Sequence, residues 1–181
     1  MRETATCFSI AANGEHGRFY LTEGSEPDGR GGTRHWCVLA CHTTFGTVGH
    51  TWTSMGGPAA WFLAKIGRDY AINKLWCQHS QIFCGDKAVT DIRRQILDDR
   101  RQRELSHDDA RERYDAFVDG IDNESQLGML VEREAWLYDM LVHGGGSQVG
   151  KVDNPQAIGF WKQLWPAFIA ELTAEVEACH A

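Results

Sequence analysis

Cysteine and histidine crowd one short run of this chain: His35, Cys37, Cys41 and His42, with His50 shortly after. Two chemistries use such a set. A thiolate beside an imidazole can act as a nucleophile if a third group orients the base. Two thiols and two imidazoles can also hold zinc, each sulfur about 2.3 Å from the metal. The elements that carry these residues decide between such uses and plain packing. The run TRHWCVLACHTT, then FG, then TVGHTWTSM is rich in β-branched and aromatic residues and reads as a β-hairpin over 33–55. With a two-residue turn at Phe45-Gly46, Cys41 lies opposite His50 and Leu39 opposite Trp52. One face then shows His35, Cys37, Leu39, Cys41, His50 and Trp52. The other shows Trp36, Val38, Ala40, His42, Thr51 and Thr53. A one-residue slip would invert one arm.

On a strand, residues four apart are about 13 Å from one another, so Cys37 and Cys41 cannot share one zinc. No Asn or Asp in the hairpin stands ready to orient His50, and reactive thiols favour electropositive, partly exposed places. Cys77, His79 and Cys84 lie in loop-like sequence without a C-x2-C pair. The expectation is packing: no catalytic residue, no metal site and no cofactor. A small metal-binding or Cys/His-dependent enzyme is the alternative. A phosphate loop is also disfavoured. Gly145, Gly150 and Lys151 fit G-x4-G-K, but Val152 stands where magnesium needs a hydroxyl, and the stretch follows a helix instead of a strand.

A length of 181 residues can bury a core without staples. No apolar run approaches the ~20 residues of a membrane span. MRETATCFSI has no export pattern, and the six cysteines are scattered, so a cytoplasmic protein (the host bacterial cytosol) is expected.

The wider pattern is α+β: an N-terminal antiparallel sheet with short helices packed on it, then a C-terminal helical block. Strands are expected at 6–12 and 18–22, joined through Asn13-Gly14. Residues 24–32 (GSEPDGRGG) hold no strong apolar residue and read as a mobile loop. Gly56-Gly57-Pro58 stops the sheet, and short helices follow at 59–66 and 69–76, split at Gly67. Beyond Asp86 the apolar period becomes helical. One helix carries Val89, Ile92 and Ile96. Ser106 caps a second, with Ala110, Tyr114, Phe117, Val118 and Ile121 on its face. Asn123 caps a third through Leu127, Leu130, Val131, Leu137, Tyr138 and Leu141, ended by the glycines at 144–146. Asn154-Pro155 opens the last, aromatic one, where Pro166 kinks the helix or begins a new one. The expected division is 1–84 and 85–181, together one compact unit.

The net charge of −7 is uneven. Residues 1–84 hold 7 basic and 6 acidic groups, 85–143 hold 9 and 15, and 144–181 hold 2 and 4. Direct nucleic-acid binding is therefore disfavoured. Pairing at i,i+4 on solvated helix faces accounts for many of the carboxylates. A partner-binding face is the functional reading, and it would comprise Asp98, Asp99, Glu104, Asp108, Asp109, Glu112, Asp115 and Asp119, which suit a basic protein surface.

Two stretches resemble a known group. HTTFGTVGHTWTSMGGPAAWFLAKIGRDYAINKL (42–75) carries Phe45-Gly46, Trp52, Gly56-Gly57, Phe62-Leu63, Asp69-Tyr70 and Lys74-Leu75, and FWKQLWPAFIAEL (160–172) closes the pattern. They resemble small accessory proteins of temperate phages and prophages. That resemblance implies a counter-defence role of anti-CRISPR type, in which the partner is a host defence complex, a CRISPR effector, bound without catalysis. A phage adaptor that forms a homodimer is the plainer alternative. The resemblance assigns no functional residue.

Overall fold

A computed structural model describes residues 4–117, 120–143 and 148–180. Alternation sets its first half: β1 (Thr6–Ala12), β2 (Glu15–Pro27), β3 (Thr33–Thr43) and β4 (Gly46–Met55) turn every second side chain inward, except where a register shift between His35 and Cys37 brings both Trp52 and Met55 inside. They form one antiparallel sheet in the order β1-β2-β3-β4. Asn13 and Gly14, both at positive φ (55° and 83°), make the two-residue turn that Asn-Gly favours. The second hairpin turns at Thr44 and Phe45, one step earlier than the sequence indicates, because Thr43 pairs with Gly46. Thr43 holds this turn: its hydroxyl donates to Gly46 O (2.9 Å) and accepts from Phe45 N (3.2 Å).

That shift moves the register by two residues. Leu39 faces His50, Cys41 faces Val48, and Cys37 faces Trp52. Since side chains alternate with period two, the expected faces survive while the expected Cys41–His50 pair does not. A larger correction concerns 24–32. Strand β2 runs on to Pro27, and only the residues after it turn. Glu26 pairs with Arg34 across the ladder (2.7 Å), and Asp28 accepts from Arg30 N and Gly32 N, both at 2.8 Å. Gly24 sits inside the strand because the Trp36 ring occupies the place of its missing Cβ, 2.6 Å away.

Five shorter elements precede the charged helices or bound them: α1 (Ala59–Lys65), α2 (Arg68–Trp76), a 3-10 turn (Cys77–His79), β5 (Gln81–Phe83) and β6 (Lys151–Asp153). The helices α3 (Gly85–Arg101), α4 (His107–Asp115), α5 (Glu124–Arg133) and α6 (Ala135–His143) lie between β5 and β6, and α7 (Pro155–Gln163) and α8 (Trp165–His180) end the chain. Contacts divide these into two units, residues 1–80 with 154–181, and residues 81–153. The divide therefore differs from the expected break at 84/85, since the last two helices belong with the sheet. Their rings explain it. Phe168 stacks on Phe19 at 4.4 Å, meets Phe8 edge-on at 5.5 Å, and packs beside Trp165. Each such pair adds about 0.5–1.5 kcal/mol beyond its buried area. Glu23 of β2 accepts from Ala59 N (3.0 Å) and so caps α1 in place of a side chain of its own.

The second unit has a mainly aliphatic core of Val89, Ile92, Ile96, Ile121, Leu127 and Leu137, joined by Phe117, with Phe83 and Trp136 packed against it. Ser106 and Asn123 cap α4 and α5 as expected, accepting from Asp109 N and Gln126 N. The expected third helix is two helices. Glu134 leaves the helical region (φ −111°, ψ 98°), and its carbonyl starts α6. The break turns Trp136 onto Phe117 and sinks Leu137 into the core. Pro166 stands in the first turn of α8, so it begins a helix. Short β5 and β6, which the sequence pattern did not show, pair antiparallel at the two ends of this unit. Val118, Asp119 and 144–146 lie outside the described residues.

Candidate functional site

The Cys/His set is placed by the inward face of β3 and β4. Cys37 and Cys41 are fully buried among Phe19, Leu39, Trp52 and Leu63. Burial pushes the Cys37 thiol up to about 12, with Glu23 adding to the shift, and burial alone raises Cys41 further. Both are therefore neutral thiols, and Cys37 donates weakly to Met55 Sδ (3.6 Å). His50 is half-buried, edge-on to Trp52 at 4.7 Å, and its pKa is lowered by burial and by Lys74. A neutral imidazole one diagonal away from a sealed, unionised thiol does not make a nucleophile pair. His42 points the other way, where its Nδ1 meets Thr47 Oγ1 (3.1 Å). Cys77 is exposed and bonds Lys74 O, and His79 is exposed. Among the described residues no three His, Cys, Asp or Glu side chains gather as a metal set.

Lys151 opens strand β6 and pairs with Glu124 (2.8 Å), while Gly150, at φ 69°, gives its N–H to Asp91 (3.1 Å). This stretch is thus a strand start tied to the helices of its own unit. Gly145 of the G-x4-G-K match is outside the described residues.

Seven of the eight acidic residues singled out lie on α3, α4 and the turn between them, and Asp119 is outside the described residues. Asp98 is half-buried and pairs with Arg101 (2.6 Å). Asp99, also half-buried, accepts from Gln95 (2.6 Å). Glu104 is exposed in the turn, its N–H on Asp99 O. Asp108 and Asp109 occupy the first turn of α4, where a carboxylate meets the positive end of the helix dipole. Asp109 also accepts from the Ser106 hydroxyl (2.7 Å). Glu112 is exposed, and Asp115 pairs with Arg111 (2.9 Å). Arginines are interleaved throughout: residues 85–117 hold 9 acidic and 8 basic groups. The excess lies just beyond, where 118–143 hold 6 acidic groups and 1 basic.

There the structure exposes three large apolar side chains, of which the sequence pattern places only Tyr138 in the buried stripe. On α5 and α6, Met129 is 64 %, Tyr138 50 % and Val142 53 % exposed. Splitting the helix at Glu134 turns Tyr138 outward, while Leu137 stays sealed in the core. Met129 lies three residues from Glu132, and Tyr138 precedes Asp139, so apolar anchors and carboxylates share these surfaces. Tyr and Met are among the side-chain types enriched in protein interfaces.

On the outward face of the sheet, Arg18, His42, Thr47 and Ser9 line a shallow hollow of about 620 Å³. Tyr20 stands edge-on to His42 at 5.8 Å beside it. Among the described residues no helix is long and apolar enough to cross a membrane.

A protein-family model described as a phage family, Phage_phiTE_072, matches residues 37–175. The chain belongs to this phage family. The matched span starts in β3 and runs into α8, so it takes in both stretches, 42–75 and 160–172, that carry the phage resemblance. It also contains the whole charged unit of the phage-family protein. No curated protein and no solved structure matches the chain.

Proposed function

We propose that this phage-family protein is a counter-defence factor of anti-CRISPR type. It binds a host nucleic-acid-targeting effector complex and does no chemistry on it. The binding face is the acidic helical surface of 81–153, with Asp98, Asp99, Glu104, Asp108, Asp109, Glu112, Asp115 and Asp119 supplying charge. Tyr138 and Met129 are its anchors.

The observation that carries this reading is the exposure of Met129, Tyr138 and Val142 within a unit of 16 acidic and 10 basic groups. Effector complexes must hold nucleic acid on basic surfaces, and an acidic face with apolar anchors complements such a surface. Family membership supports the phage context. The sealed state of Cys37 and Cys41 weighs against the Cys/His-dependent alternative.

The test is capture from a host lysate by the tagged full chain, with an assay of effector nuclease activity in parallel. The wild type should recover a basic, nucleic-acid-binding complex and inhibit it. Tyr138→Ala, and Lys substitutions across the eight acidic positions, should each lower both. Inhibition unchanged by both sets would overturn the proposed face. Failure to capture or inhibit any such complex would overturn the role.

A further inference from the structure

One face of α3 has the opposite sign to the rest of its unit. Arg93, Arg94, Leu97, Arg100 and Arg101 follow helical spacing, and across from them α4 presents Ala110, Arg111 and Tyr114. Between the two helices lie two hollows of about 360 and 410 Å³ that share Leu97 and Tyr114. Leu97 is 43 % exposed although its neighbour Ile96 is sealed in the core. Arg93 is fixed in place: it donates to Tyr114 O (3.4 Å) and Phe117 O (3.2 Å), and its guanidinium lies 4.5 Å over the Tyr114 ring. Arg101 and Arg111 have carboxylate partners, Asp98 and Asp115. Arg94 and Arg100 have none among the described residues, and Arg100 Nε is buried without an acceptor.

A buried guanidinium N–H without an acceptor is costly, and the more notable in a unit with 16 acidic groups. An apolar floor rimmed by arginines, of which Arg94 and Arg100 lack a carboxylate among the described residues and Arg111 is matched by Asp115 on the same rim, defines its complement. We infer that the groove between α3 and α4 is a docking site for an acidic segment of a partner protein. The segment sets one apolar side chain against Leu97 and Tyr114 and a carboxylate on Arg94 and Arg100. Nucleic acid fits less well. A long polyanion would meet the net −6 of residues 81–153, whereas a short segment with few carboxylates would feel mainly the local arginines. The floor also offers a single aromatic ring, not a series on which bases stack. This inference goes beyond the proposed role, because it concerns the arginines of α3 and not its carboxylates, although Asp115 borders both surfaces.

The test uses the full chain and fluorescence anisotropy. The probe is a labelled helical peptide with one Leu flanked by Glu a turn to either side, compared with its Gln counterpart and with a mixed-sequence single-stranded oligonucleotide. The Glu peptide should bind and the Gln peptide should not. Arg94→Glu, on an exposed position, should weaken binding about tenfold or more without altering the circular dichroism melt. Leu97→Ser should weaken it independently. Absence of Glu-peptide binding, or binding indifferent to Arg94→Glu, would overturn the site. Tighter binding of the oligonucleotide, lost with Arg94→Glu, would make the groove a nucleic-acid surface instead. A dimer in sedimentation that Arg94→Glu dissolves would make it an interface between copies.

Discussion

The sheet unit and the charged unit solve the same packing problem with different materials. The first draws Phe8, Phe19, Phe160, Trp165 and Phe168 from opposite ends of the chain into one cluster. The second uses Val89, Ile92, Ile96, Leu127 and Leu137 from consecutive helices. In the first, rings from β1, β2, α7 and α8 meet edge-on or stacked among aliphatic neighbours such as Leu21, Leu39 and Leu164. Helices packed in sequence interdigitate with smaller branched side chains. Charge divides the same way: residues 1–80 with 154–181 hold 8 basic and 9 acidic groups, against 10 and 16 for residues 81–153. One unit is near-neutral and aromatic, and the other carries most of the charge outside an aliphatic interior.

The sharpest way to break this contrast is Phe168→Ala. Phe168 touches three rings, so its loss should lower stability by about 3–5 kcal/mol in urea unfolding. A loss near zero would show that α8 does not belong to the sheet's core. Gly85→Ala probes the charged unit. A Cβ there would run into the carbonyl oxygen of Ile121, and a cost of about 1–3 kcal/mol is expected from the same measurement. Ser106→Ala should cost about 1 kcal/mol, since it frees the Asp109 N–H at the start of α4. A neutral result would mean that Asp109 or water replaces the hydroxyl.

The last effect is on pH. Cys37 is raised from an ordinary value of 9.0 to about 12, so above pH 9 the unfolded chain loses this proton while the folded chain keeps it. Stability is therefore undiminished by this group below pH 9 and falls as pH rises toward 12, with Cys41 acting in the same direction. Cys37→Ala and Cys41→Ala together should flatten that alkaline slope. In the native protein at pH 8, exposed Cys7 and Cys77 should react with a thiol reagent, while Cys37 and Cys41 react only on unfolding.

Much of the fold was legible because its signals are local. The Asn13-Gly14 turn, the caps at Ser106, Asn123 and Asn154, and the helix start at Pro166 depend on nearby backbone groups. The face assignments of β3 and β4 survived a misplaced turn because the error was an even number of residues. What escaped depends on distant partners. Residues 24–27 read as loop, yet pair with β3 because Trp36 covers Gly24 and Arg34 meets Glu26. The return of α7 and α8 to the sheet rests on Phe19 meeting Phe168 across most of the chain. At the candidate surfaces, charge excess was visible in the residues. The exposure of Tyr138 was not, because it follows from a helix break at Glu134 that no glycine or proline announces.

The short ladder of β5 with β6 has a further consequence. Residues 81–153 begin and end side by side there. In the sheet unit, the flanking residues are equally close: Asn154 N donates to Ser80 O (3.0 Å) and its side chain to His79 O (2.8 Å). The charged helices therefore have the connectivity of an insertion, a module spliced into a scaffold whose two cut ends already touch. Such a splice point tolerates exchange, so a different helical cassette could stand between Ser80 and Asn154 while the rings of the sheet unit stayed in register.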